Sequence, residues 1–313
     1  MNISFEGRVV IITGGGRALG REYALEIARR GGSVVVADIG GIDDAAGPWA
    51  DQVVFEISAN DGKAVACCDS VATSDGGNAI VEVAMRAYGS IDAVIHNAGF
   101  LRPAFIEDMS DRQLKEVIDV HLMGGFYVVR PAWRIMKKKG YGRVVLTGSS
   151  AAFGNGANSN YAAAKAGLLG LTTALAQESA GLDLRANAIM PFAISKIARE
   201  NPIPGSESER NRAAIEMMTP RRHPRSVAPI VAYLASEACT VSGQAYSALA
   251  GRYARVALGF SEGWIGDPDR TSAEDVRNHF SEISRLDHMT FPESMTGEIQ
   301  SVLEQLQSKG LLG

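Results

Sequence analysis

Tyr161 and Lys165 stand four residues apart in the run Asn160-Tyr161-Ala162-Ala163-Ala164-Lys165. On a helix that spacing puts both side chains on one face. An ammonium beside a phenol favours the phenolate relative to a free side chain of pKa about 10. The pair could therefore move a proton to or from an alcohol oxygen near neutral pH. A second set of residues could hold a nucleotide. Gly14-Gly15-Gly16-Arg17-Ala18-Leu19-Gly20 follows an apolar run and leads into a helical one. Glycines there allow a tight turn and close backbone approach, and the helix N-terminus offers free N–H groups to a pyrophosphate. Gly14, Arg17, Leu19 and Gly20 are the candidate contacts. Asp38 lies 24 residues after Gly14, where a carboxylate accepts hydrogen bonds from a ribose 2′-OH and repels a 2′-phosphate. Arg17 argues the other way, because a guanidinium in the loop can bind that phosphate. Asp38 competes for the 2′ position itself, so NAD is the expected cofactor.

The elements that must position these residues can be read from the hydropathy pattern. Short apolar runs alternate with longer amphipathic segments, as in a parallel sheet with helices on both faces. Strands are expected at Val9–Thr13, Ser33–Asp38, Ala64–Cys68, Ala93–His96, Val144–Gly148, Ala186–Met190 and Ala245–Leu249. They are nearly continuous rather than alternating, the mark of strands covered on both faces. Helices are expected at Leu19–Arg30, Trp49–Asn60, Gly76–Tyr88, Asp111–Lys139, Tyr161–Gly181 and Ser226–Ser236. The predicted fold is an α/β, Rossmann-like, doubly wound parallel sheet of about seven strands over residues 1–250. A C-terminal extension, 251–313, would pack on the same domain or on a neighbouring subunit. Thr271-Ser272-Ala273-Glu274 reads as a capping box, and Ile299–Leu306 as a second amphipathic run. The Pro-, Gly- and Ser-rich stretch 200–212 reads as a mobile loop, either a lid over the ligand or a plain surface loop.

Composition bounds the rest. A chain of 313 residues with 46% hydrophobic and 21% charged residues can bury a large core. Its net charge of −4 argues against a nucleic-acid partner. No run approaches the roughly 18 apolar residues of a membrane span. Met1-Asn2-Ile3-Ser4-Phe5-Glu6 lacks the regions of a secretory signal, and Leu311-Leu312-Gly313 matches no peroxisomal address. A cytoplasmic protein is expected. Cys67, Cys68 and Cys239 are odd in number and lack metal-ligand spacing, so they read as reduced thiols and no metal is expected.

The glycine loop, Asp38 and Tyr161-x-x-x-Lys165, taken with Asn97-Ala98-Gly99, resemble the short-chain dehydrogenase/reductase family from Gly7 to about Gly251. That family's loop reads Thr-Gly-x-x-x-Gly-x-Gly; Thr13, Gly14 and Gly20 match, while Ala18 stands at the middle glycine. The resemblance implies that a serine six residues past Arg143, Ser149, hydrogen-bonds the substrate oxygen, with Ser150 as the alternative. Tyr161 would exchange the proton, and Lys165 would hold the nicotinamide ribose and lower the phenol pKa. The same resemblance places His121 where many members carry an asparagine of a proton relay; a structural polar residue is the other reading. Asp69-Ser70 would meet the adenine; Asn97, Ala98, Gly99 and Pro191, which matches the family's proline after the sixth strand, would meet the cofactor, and Ser195 the nicotinamide amide or phosphates.

Within the family, Gly20-Arg21-Glu22-Tyr23-Ala24-Leu25, Val120-His121-Leu122 and Gly263-Trp264-Ile265-Gly266 are similar to the dehydrogenase domain of the multifunctional β-oxidation enzyme. That similarity implies an NAD-dependent oxidation of a secondary alcohol, on a 3-hydroxyacyl-CoA or hydroxysteroid-like substrate. The alternatives are an NADPH-dependent 3-ketoacyl reductase and, more remotely, a nucleotide-binding regulator without catalysis. A homodimer or homotetramer is expected from the same resemblance.

Overall fold

The computed structural model describes residues 2–40, 42–43, 47–193 and 215–311. The first of two compact units runs from Met1 to Arg255. Its centre is a sheet built from β1 (Val9–Thr13), β2 (Ser33–Ala37), β3 (Lys63–Cys67), β4 (Ala93–His96), β5 (Tyr141–Thr147), β6 (Asp183–Phe192), β7 (Ala245–Leu249) and β8 (Arg252–Val256), in the spatial order β8-β7-β6-β5-β4-β1-β2-β3. Every neighbouring pair from β3 to β7 is parallel.

Both faces of the central strands are buried, which explains their unbroken apolar runs. Val10, Ile12, Val34, Val36 and Ile95 pack on one side with helices α1 (Ala18–Arg29), α2 (Trp49–Ser58) and α7 (Ala228–Ala235). Ile11, Val35, Val94, Val144 and Leu146 point the other way, toward α3 (Ser74–Tyr88), α5 (Gly124–Lys139) and α6 (Ser159–Glu178). The alternation is the two-residue period of a strand. At the opposite edge from the glycine loop, Asp92 accepts from the Val9 N–H at 2.9 Å and pairs with Arg8 at 3.0 Å and Lys139 at 2.9 Å.

Several elements differ from expectation, β5 and β6 each beginning three residues earlier, at Tyr141 and Asp183. The sheet has an eighth strand: Ala250 and Gly251 both take positive φ, 53° and 85°, the two-residue turn that returns a chain antiparallel. Arg252-Tyr253-Ala254-Arg255-Val256 lacks an apolar run because it is an edge strand with exposed side chains. The single helix expected over 111–139 is α4 (Asp111–Ile118) and α5 separated by a π-helical turn, Asp119–Met123. The capping box at the start of α8 (Ala273–Asn278) uses Ser272 with Asp275, one residue later than expected. The expected amphipathic run lies within a longer helix, α10 (Met295–Ser308), which follows the single turn α9 (Phe280–Ile283). The unit from Val256 to Gly313 also contains a stacked Trp264–His279 pair, centroids 4.1 Å apart, and none of its described residues is fully buried. Among the described residues, no helix is long and apolar enough to cross a membrane, and none of the His, Cys, Asp and Glu side chains gather into a metal-binding group.

Candidate active site

Register decides where the loops open. Thr13 pairs with Ala37 on β2 and His96 on β4, so residues 14–20, 38–40 and 97–99 all leave the same edge. The strand order reverses at β1, which opens a crevice between the β1 and β4 loops. Thr13 clamps the two: its Oγ1 accepts from Asn97 N at 3.0 Å and Ala98 N at 3.1 Å, and it is bonded to His96 Nδ1 at 3.1 Å. Asn97 Nδ2 donates back to Thr13 O and Gly14 O, at 3.2 and 3.1 Å.

The glycines are required by contact. A Cβ on Gly14, at φ 62°, would lie 2.7 Å from Ala98 Cα, and one on Gly20 only 2.0 Å from Gly14 O. Ala18 itself adopts φ 45°, the left-handed region that glycine enters at no steric cost. Helix α1 starts at Ala18 with no side-chain cap on its leading N–H groups, whereas α3 and α4 are capped by Thr73 and Ser110. An uncapped helix end facing a glycine cradle fits a pyrophosphate.

Asp38 leaves β2 with its carboxylate held by two amides: Gly16 N–H on Oδ2 at 2.9 Å and Gly40 N–H on Oδ1 at 2.7 Å. The residues present thus fit a dinucleotide whose adenosine ribose meets a carboxylate. Among the described residues Arg17 forms no ion pair with that carboxylate; its guanidinium lies 4.0 Å over the Trp49 ring. Asp69 is exposed at the end of β3 and accepts from the Cys67 thiol at 3.4 Å, and Ser70 Oγ accepts from Ala72 N.

The proton-transfer candidates come together at the end of β5. Tyr161 and Lys165 share one face of α6, with the ammonium 5.5 Å from the phenol ring centroid. Lys165 donates to Thr147 O. Burial lowers its ammonium to about 7. Burial pushes the Tyr161 phenol up, and a hydrogen bond with Ser149 pulls it down. Ser149, rather than Lys165, is the group that opposes burial at the phenol here. Ser149 Oγ also accepts from Ala151 N at 3.1 Å. Ser150 begins the short 3-10 turn that follows.

His121 sits in the π-helical turn, 2% exposed, with its ring edge-on to Tyr161 at 5.0 Å and 88°. Its Nε2 faces the Phe100 backbone, 3.1 Å from N and 2.8 Å from O, while Nδ1 has no partner among the described residues. Burial and the Lys165 charge hold it well below its ordinary pKa, so the ring is neutral. Gly99 makes room for it: a Cβ there would lie 2.1 Å from His121 Cε1. The π turn also presents its backbone, since His96 Nε2 lies 3.0 Å from His121 O.

Pro191 is the penultimate residue of β6, beside Ala248, on the same sheet edge as the loops. Ser195 and the 200–212 stretch lie outside the described residues. Three residues of the site, His96, Asn160 and Trp49, were not singled out in the sequence, and Thr13 was read there only as a match to the family's loop. Thr13 and His96 join the glycine loop to the π turn. Asn160 ties the start of α6 to Arg102 O and Gln113 O at 3.1 and 3.2 Å. Trp49 receives Arg17. Only Thr13, within its Thr-Gly pair, carried a sequence signal.

The family model for short chain dehydrogenases matches residues 8–201. A short-chain type dehydrogenase/reductase of Mycobacterium tuberculosis is 41% identical over 285 residues, covering 90% of this chain and 95% of that protein. The peroxisomal hydratase-dehydrogenase-epimerase of Saccharomyces cerevisiae is 38% identical, over 90% of this chain but 31% of its own length. Among solved structures, full-length peroxisomal multifunctional enzyme type 2 of Drosophila melanogaster superposes with a TM-score of 0.79 at 31% identity, covering 98% of this chain and 50% of that one. The chain therefore spans about a third of the yeast protein and half of the fly one.

Proposed function

The chain belongs to the short chain dehydrogenase family, and on that premise we propose that it is an NAD-dependent dehydrogenase interconverting a secondary alcohol and a ketone. The observation that carries this reading is the meeting of Ser149, Tyr161 and Lys165 at the end of β5, one strand from the glycine-lined crevice. A nicotinamide cofactor, when bound, supplies or accepts the hydride. Ser149 orients the substrate oxygen by a hydrogen bond, and Tyr161 passes the proton to or from it. Lys165 places a positive charge behind the phenol and a donor toward the cofactor ribose. His121 acts here as a support, its ring edge holding Tyr161 in place. Asp38, already aimed by two amides, favours a ribose with a free 2′-OH.

For the substrate we propose a 3-hydroxyacyl-CoA or a hydroxysteroid-like alcohol. Support comes from the named multifunctional relatives and from exposed apolar side chains near the site. Phe153 ends the turn after Ser149, and Phe105 and Ile106 follow Ala104, which bridges Asn158 at the start of α6. Such side chains favour a bulky apolar partner over a small polar one. A homodimer or homotetramer is part of the proposal. So is a cytoplasmic setting, consistent with the free thiols Cys67, Cys68 and Cys239. The C-terminal unit, with no fully buried described residue, is proposed to need a covering surface, on its own domain or on a neighbouring subunit.

The test is reduction of NAD+ and NADP+ by the purified chain with a panel of 3-hydroxyacyl-CoAs, hydroxysteroids and simple secondary alcohols. NADH formation is expected with at least one of the first two classes. Tyr161→Phe should lower kcat about 10²- to 10⁴-fold, the range of general acid–base catalysis. Full activity in Tyr161→Phe would refute the assignment of the phenol, and reduction of neither nucleotide would refute the reaction.

A further inference from the structure

Arg17 and Asp38 carry opposite charges at the rim of the cofactor crevice, yet among the described residues no ion pair joins them. The guanidinium lies instead on the face of Trp49, 4.0 Å from the ring. The indole is itself held from below. A Cβ on Gly40 would lie 1.9 Å from Trp49 Cε3 and 2.7 Å from Asp38 Oδ1. One on Gly16 would lie 2.7 Å from Trp49 Cβ and 2.9 Å from Asp38 Oδ2. The two glycines whose N–H groups aim the carboxylate are thus the two against which Trp49 is wedged. Trp49 also opens α2, directly after Pro48, so its backbone is anchored by a helix.

We propose that Trp49 is a specificity-determining residue: by stacking Arg17 it holds the guanidinium off the 2′ position and leaves Asp38 to meet that position alone. The inference rests on the nicotinamide reading above and deepens it. A guanidinium seated over an indole face gains a stabilisation that it must surrender before it can embrace a 2′-phosphate. The planar fork of arginine suits both tasks, and the indole decides which one it performs. Trp49 touches no reacting atom; it is a positioning residue acting through Arg17.

The experiment is equilibrium binding of NADH and NADPH to the full chain, followed by fluorescence. The proteins are wild type, Trp49→Leu, Trp49→Phe, Arg17→Lys and the double variant Trp49→Leu/Arg17→Leu. Trp49→Leu should shift the affinity ratio toward NADPH about fivefold. Trp49→Phe, which keeps a ring face, should restore most of the wild-type ratio, and adding Arg17→Leu should erase the shift. A purely structural role for Trp49 would weaken both nucleotides alike, and that result overturns the inference. So does a shift that survives without Arg17. If Trp49→Leu does not fold, Arg17→Lys carries the test: it keeps the charge and gives up planar stacking. Its ratio should move toward NADPH, and an unchanged ratio overturns the inference. A wild type that prefers NADPH refutes the inference while leaving a nicotinamide enzyme standing. A wild type that binds neither nucleotide removes the cofactor reading and the inference together.

Discussion

Replacing Lys165 by methionine should stabilise the fold while destroying the activity. Lys165 is 2% exposed, and burial lowers its ammonium from an ordinary 10.5 to about 7. Below pH 7 both the folded and unfolded chains carry the proton, and the buried charge costs the fold about 5 kcal/mol, at about 1.4 kcal/mol per pH unit. Between pH 7 and 10.5 the unfolded chain holds the extra proton, so stability rises with pH and the cost fades. Lys165→Met keeps the apolar stem, removes the charge and gives up one hydrogen bond to Thr147 O, worth about 1 kcal/mol. Without nucleotide, the variant should exceed wild type by about 3 to 4 kcal/mol at pH 6 and by less than about 1 kcal/mol at pH 9.5. Urea unfolding across that pH range measures it. A variant no more stable at pH 6, or a gap that does not narrow with pH, would refute the reasoning. Its kcat/KM should fall about a hundredfold or more, because the donor proposed to hold the cofactor ribose is gone.

Other consequences can be tested alongside. Ala18→Gly should raise stability by about 1 kcal/mol, since it relieves a left-handed alanine, and thermal unfolding would show it. Gly99→Ala should push His121 off Tyr161 and lower kcat more than tenfold; a folded, fully active variant would remove His121 from its supporting role. Asp92→Asn should destabilise by about 2 kcal/mol at pH 7. Burial pushes Asp92 up, but the Val9 N–H, Lys139 and Arg8 outweigh it, so its pKa lies below the usual 3.8. Its contribution is therefore full above that value and lost as pH falls through the lower folded pKa. The variant's deficit should shrink in acid unfolding as pH falls below 3.8.

What could be read from the residues depended on the range of the forces involved. β1, β4 and β7 begin and end at the expected residues because burial on both faces writes itself into consecutive positions. Lys165 and Tyr161 were visible because helical spacing is local. The stacking of Arg17 on Trp49, and the clamp from Thr13 to Asn97, join residues brought together only by strand order, and no local pattern announces them. β8 escaped notice because an edge strand needs no apolar run. The interruption at Asp119–Met123 was hidden by hydropathy that continues across it.

That interruption has a consequence for how the chain tolerates insertions and deletions. A π turn is one residue more than the helix needs, and one residue is worth about 100° of rotation. It therefore works as a fixed angular offset between α4 and α5, setting which way each helix faces. Deleting a single residue between Asp119 and Met123 would restore an unbroken α-helix and improve its backbone geometry. It would also turn α4 about its own axis, carrying the capping and packing face that begins at Ser110 away from Asn160. The site is thus keyed to a length of chain as well as to a set of side chains. A variant one residue shorter here would gain a better helix and lose its enzyme.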